Sequence, residues 1–147
     1  MKYIPSVRLA LTISALTALA ACDKSRADSP AEVYTSFSKA VQRADWKVAY
    51  SALSPETQQR LAARAKEIAA ASGGAIKDDP ASLAFSSAPR PEPLTEVKVV
   101  RQDGDRAVLV ATAAGHTQQV SMVRENNAWK IDLTQKLNGS EGAAAKP

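Results

Sequence analysis

Residues 94–133 form four short runs of alternating apolar and polar residues, and each break between runs is a two-residue turn signal. The runs are Leu94 to Gln102, Asp105 to Ala114, Thr117 to Arg124 and Ala128 to Leu133. Asp103-Gly104, Gly115-His116 and Asn126-Asn127 separate them, and Asp103-Gly104 is the strongest hairpin signal in the chain. Connections this short join only antiparallel neighbours, so the pattern predicts a four-stranded antiparallel meander.

Tight turns also predict the faces, because side chains alternate across a strand. One face collects Val100, Leu109, Ala111, Val120, Met122, Trp129, Ile131 and Leu133. The other collects Val97, Val99, Val108, Val110 and Val123, with Ser121, Lys130 and Asp132 among them. The bulkier first set is expected to pack on helices. The valine set is too apolar for a fully wetted surface. It is therefore expected to meet a second copy of the chain or another protein.

The segment before the meander reads as helical. Ser29-Pro30-Ala31-Glu32 is a helix start: a serine cap, a proline at the first position, and a glutamate that closes a capping box. Val33, Phe37, Ala40, Val41 and Ala44 follow at helical spacing, with Tyr34 beside them. Asp45 is placed to cap a short second helix with Trp46, Ala49, Tyr50 and Leu53 inward. Ser54-Pro55-Glu56-Thr57 starts a third, which carries Leu61, Ala65, Ile68 and Ala69 and ends at Gly73-Gly74. Residues 75–93 hold Pro80, Pro89, Pro91 and Pro93, which exclude a long helix or a central strand. Leu83-Ala84-Phe85 is expected to dock there as a short extended piece. The expected fold class is thus α+β, with N-terminal helices on a curved meander of about four strands.

The first residues carry a different signal. Lys2 and Arg8 precede Leu9 to Leu19, an uncharged and mostly apolar run about half as long as a bilayer-spanning helix. Leu19-Ala20-Ala21-Cys22 follows and resembles the lipobox of bacterial lipoproteins. The resemblance implies removal of residues 1–21, a diacylglyceryl thioether on the Cys22 sulfur, and palmitate-type acylation of the new amino group. Several acyl chains together give stable anchoring, where one chain is marginal. Asp23 resembles the inner-membrane retention signal of enteric lipoproteins. With it the expected place is the periplasmic face of the inner membrane, and without it the outer membrane. Residues 22–28 read as a lipid-anchored tether, 29–137 as the domain, and 138–147 as a disordered tail. Cys22 is the only cysteine, so no internal disulfide is expected.

The charge of +4 falls by two with the loss of Lys2 and Arg8. The remaining cations are scattered among acids, without a basic stripe or interleaved aromatics, which argues against nucleic-acid binding.

The order of helices, Ser-Pro-Glu start and closing meander resembles the nuclear transport factor 2-like superfamily. The segments VYTSFSKAVQRADWKVAYSALSPE (33–56) and VSMVRENNAWKIDL (120–133) carry the likeness. It looks closest to small bacterial lipoproteins of unknown function in that group. The resemblance implies helices packed into a curved sheet as a cone. The Pro-rich stretch 75–93 departs from the family pattern and implies a shallow one.

Chemistry-bearing residues are sparse. His116, the only histidine, falls in an expected turn and has no companion for a zinc site. Lys130 and Asp132 share a strand face and read as solvated charges rather than an acid–base pair. Asp78-Asp79 lacks the ligand alternation and distal glutamate of a calcium loop. Trp46 and Trp129 are core anchors, either of which could line the cone mouth. No nucleophile elbow, phosphate loop, zincin helix or dinucleotide fingerprint is present. No cofactor and no metal are expected. The leading expectation is a membrane-tethered, non-catalytic accessory domain that binds a small molecule or another envelope protein. The alternatives are a SnoaL-like isomerase or cyclase with one polar group in the cone, and a purely structural envelope lipoprotein.

Overall fold

The computed structural model describes residues 28–138, with the exception of residue 87. Cys22, Asp23, the leader and the tail beyond Asn138 lie outside the described residues. Four helices come first: α1 (Pro30–Gln42), α2 (Trp46–Ser51), α3 (Pro55–Ala71) and α4 (Pro80–Phe85). Four strands follow: β1 (Leu94–Asp103), β2 (Arg106–Ala113), β3 (His116–Glu125) and β4 (Ala128–Asp132). They form one antiparallel open sheet in the order β1-β2-β3-β4, and the protein is α+β.

The helix boundaries follow from local chemistry. Ser29 Oγ accepts from the Glu32 N–H, and the Glu32 carboxylate accepts from the Ser29 N–H at 2.7 Å, so a full capping box starts α1. Ala44 takes a φ of 59° and reverses the chain, and the Asp45 carboxylate then caps α2 through the Val48 N–H. Ser54 caps α3, and Gly73 and Gly74 leave it at positive φ, where a side chain would be strained.

Leu83-Ala84-Phe85 is helical rather than extended. The Asp79 carboxylate accepts from the N–H groups of Ala81 and Ser82 and from the Ser82 hydroxyl, and so starts α4. Pro80 occupies the first helical position, where no N–H is required, and Pro89, Pro91 and Pro93 all fall beyond the last turn. Phe85 is buried, edge-on to Phe37 and stacked on Trp46 at 5.9 Å.

The inner face of the sheet carries Ala107, Leu109, Ala111, Val120, Met122, Trp129 and Ile131, all buried against Tyr34, Val41, Ala49, Leu53 and Phe85. Each large apolar side chain placed there contributes roughly 1.5–3 kcal/mol relative to exposure. Helix α1 touches both edge strands, β1 and β4, as well as β2. α1 therefore lies across the inner face of the sheet and reaches both of its edges.

The edge strand β1 corrects the expected faces. Gln102 pairs with Ala107 and Arg101 with Val108, but beyond Val100 the partners become Val99↔Leu109, Lys98↔Val110 and Val97↔Ala111. Val100 is an extra residue, a β-bulge, and it exchanges the faces of residues 96–99, as far as a second bulge between Leu94 and Glu96. Val97 and Val99 therefore lie on the helix side, opposite Ala111 and Leu109, and do not join Val108 and Val110. Val100, expected in the core, is 55 % exposed. The outer valines reduce to Val108, Val110 and Val123, each half-buried, among Arg101, Ser121 and Lys130. The expected five-valine surface is not formed.

Two turns also sit one residue away from their expected places. The β1–β2 loop is Gly104-Asp105, with Gly104 at a φ of 53°. The β2–β3 loop is Ala114-Gly115, both at positive φ, so His116 opens β3 as the partner of Ala113. Asn126 and Asn127 turn as expected, both at positive φ, as a type I′ hairpin requires.

The two sheet edges are treated differently. Leu53 bridges Ile131 in parallel, with the Ser54 N–H donating to the Ile131 carbonyl at 2.8 Å and the Ile131 N–H to the Ala52 carbonyl at 2.9 Å. The α2–α3 connection thus covers the edge of β4. The outer edge of β1 meets no other strand among the described residues.

Candidate functional site

A cleft of about 380 Å³ opens where α1 and α2 meet β4. Val33 and Phe37 line it from α1, Val48 and Ala52 from α2 and its cap, and Trp129 from β4. Asp28, Ser36, Ser51, Asn127 and Lys130 add its polar groups. Its position follows from the local features already described. The reversal at Ala44 folds α2 back beside α1, and the Leu53 bridge holds the end of α2 against β4.

Most polar groups around this cleft are already engaged. Lys130 Nζ donates to the carbonyl of Ser51, the last residue of α2, at 2.7 Å. That bond satisfies a carbonyl the helix itself leaves open. The Arg124 guanidinium lies 6.0 Å from the Trp129 ring centre, within cation–π range, and donates to Asn127 Oδ1 at 2.6 Å. Its buried Nε has no partner. Trp129 is 5 % exposed, so the ring offers the cleft little more than an edge. Val48, by contrast, is 50 % exposed and presents an apolar side chain at the surface of the cleft.

The two tryptophans separate. Trp129 lines the cleft, whereas Trp46 stacks on Phe85 and ties α2 to α4. Lys130 and Asp132 are not brought together as a pair. Asp132 Oδ1 accepts from the Thr134 N–H and hydroxyl and starts the helical turn at 134–138. His116 is exposed at the end of β3 next to the β2–β3 loop. Asp79 is a helix cap, and its three hydrogen bonds, led by the Ser82 hydroxyl, hold its carboxyl below the usual carboxylate range. No group of three His, Cys, Asp or Glu side chains gathers among the described residues in a way that could hold a metal ion. None of the described helices is long and apolar enough to cross a membrane.

Two phenols, Tyr34 buried and Tyr50 half-buried, stand outside the cleft. The Tyr34 hydroxyl accepts from Gln118 Nε2 at 2.6 Å, and burial raises it above the ordinary phenol value against the opposing effect of that bond. The Tyr50 hydroxyl donates to the Gln58 carbonyl at 2.7 Å and is likewise raised by burial. A second apolar groove, of about 430 Å³, runs between α3 and α4 along Leu61, Ala65, Ile68 and Leu83.

Sequence reasoning missed Val48 and Ala52 as cleft residues. The available signal was a valine on the otherwise polar side of a short helix. The cleft supplies apolar walls, a rim of two hydroxyls, one amide and the Asp28 carboxylate, and one engaged cation, with neither imidazole nor thiol among its lining residues. That arrangement can hold an apolar molecule and gives it no nucleophile–base pair. No family model, no curated protein and no solved structure matches this chain.

Proposed function

We propose that this protein is a lipid-anchored envelope domain that holds a small, mostly apolar molecule in the cleft between α1, α2 and β4, without catalysing a reaction on it. The observation that carries the reading is the position of the lipobox. Cys22 stands seven residues before Ser29, the cap of α1. An extended chain reaches at most about 3.6 Å per residue, so the cap lies within roughly 25 Å of the lipid. Asp28, the first described residue, itself lines the cleft. The ligand site therefore sits beside the anchor, where membrane-partitioned molecules are concentrated. The cleft volume falls in the usual range for small-molecule sites. Helices followed by a four-stranded antiparallel sheet support a nuclear transport factor 2-like assignment. Asp23 supports retention at the inner membrane. An isomerase or cyclase reading has less support, because Lys130 is committed to the Ser51 carbonyl and the other ionisable group of the lining, Asp28, lies exposed at the rim.

Labelled-palmitate incorporation, compared between the wild type and Cys22→Ser in a bacterial host with lipoprotein processing, tests the anchor. The wild type is expected to incorporate label and fractionate with membranes, and the variant to do neither. Equal labelling would refute the anchor. For the cleft, the probe is anilinonaphthalene sulfonate. Ala52→Leu is expected to weaken its binding while leaving the circular dichroism unchanged, and unaltered binding would refute the site.

A further inference from the structure

The free edge of β1 is self-complementary, and we propose that it pairs with the β1 of a second copy about a two-fold axis centred on Val97. The bulge at Val100 places Glu96 and Lys98 together on the outer face, opposite Thr112 and Val110 of β2. The two side chains are exposed, and their charged ends lie 2.7 Å apart. In an antiparallel pair about a two-fold axis perpendicular to the sheet, directly opposed residues share a face. The axis must then pass through a residue rather than between two. Centred on Val97, it sets Glu96 of each copy opposite Lys98 of the other, with Val97 facing Val97 on the helix side. Centred on Glu96 or on Lys98, it would set like charges face to face. Directly opposed charges of opposite sign stabilise a strand pair, and like charges destabilise it.

Two further observations support a second copy as the occupant. Val99 and Val100 are 41 % and 55 % exposed beside this segment, on an edge that meets no other strand among the described residues. The opposite edge, β4, is occupied by the Leu53 bridge. The contact is isologous and uses the same β1 edge of both copies, so it closes at two. The bulges at either end of the 96–99 segment keep the paired stretch short, which makes the dimer weak and reversible. This inference is independent of the lipid anchor.

Sedimentation equilibrium of the full chain in density-matched detergent tests it, with circular dichroism to show that each variant folds. The wild type is expected to dimerise reversibly. Glu96→Lys alone and Lys98→Glu alone are each expected to raise the dissociation constant by about tenfold or more. The double swap Glu96→Lys with Lys98→Glu restores the pairing and should restore the dimer. An equimolar mixture of the two single variants should form a heterodimer, because all opposed charges are then complementary. A wild type that remains monomeric overturns the proposal. So does a dimer indifferent to the single changes, or single changes that neither the swap nor the mixture rescues.

Discussion

Thr57 offers a direct test of whether the joint between α3 and the end of β4 is held by a hydroxyl or by packing. The residue is fully buried. Its Oγ1 accepts from the Ser54 hydroxyl at 2.9 Å and from the Leu133 N–H at 3.0 Å, just beyond the last strand. Thr57→Val keeps the shape and removes the acceptor. The Leu133 N–H and the buried Ser54 O–H then lose their acceptor together, although the Ser54 oxygen still accepts from the N–H of residue 57, and leaving a buried polar group unsatisfied costs about 1–3 kcal/mol. Thr57→Ser keeps the oxygen and removes one methyl group, which costs about 1 kcal/mol in lost burial. The hydrogen-bond account therefore ranks valine as the worse substitution, although it is the more apolar one. The packing account ranks serine as the worse. Urea unfolding of the purified chain reads the difference. With a slope of about 1–3 kcal/mol per molar, typical of a small domain, the valine variant should unfold about 1 M below the wild type and the serine variant by less. A serine midpoint lower than the valine midpoint would refute the reasoning.

The two raised phenols predict an alkaline limit to stability. The Tyr34 hydroxyl titrates above the ordinary phenol value in the fold, so its contribution is complete below about pH 10 and is lost as pH rises through the raised value. Tyr34→Phe should flatten the fall in unfolding midpoint above that pH, with Tyr50 sustaining a residual slope, and an unchanged profile would contradict the assignment. Asp79 predicts the opposite edge. Its carboxyl is held low in the fold, so its capping contribution is present above about pH 4 and is lost as pH falls through the lowered value. Asp79→Asn keeps a capping acceptor, so the Trp46 environment over Phe85 should match the wild type at neutral pH and lose part of its acid sensitivity. Identical acid transitions in the two proteins would refute that role.

The chain's own residues determined every feature whose signal is local. Ser29 with Glu32, Asp45 and Ser54 start their helices, and Asn126-Asn127 turns its hairpin, because the groups that satisfy one another lie two to four residues apart. The order of helices and strands was legible for the same reason. Residues 75–93 were misread because proline density was weighed over the stretch as a whole, whereas a single cap, Asp79, was enough to start a short helix before the later prolines. Trp129 and Trp46 read alike in the sequence, and their separation depended on where Phe85 docks. The bulge at Val100 had no local signature. An extra residue in an edge strand is selected by what it delivers elsewhere. Here it turns Val97 toward the core and leaves Glu96 and Lys98 in water, while Val100 itself stays exposed. The strand alone reads equally well in either register. Only the packing of α1 across the sheet, as far as both edges, distinguishes them, because burying two charged side chains would cost far more than exposing one valine.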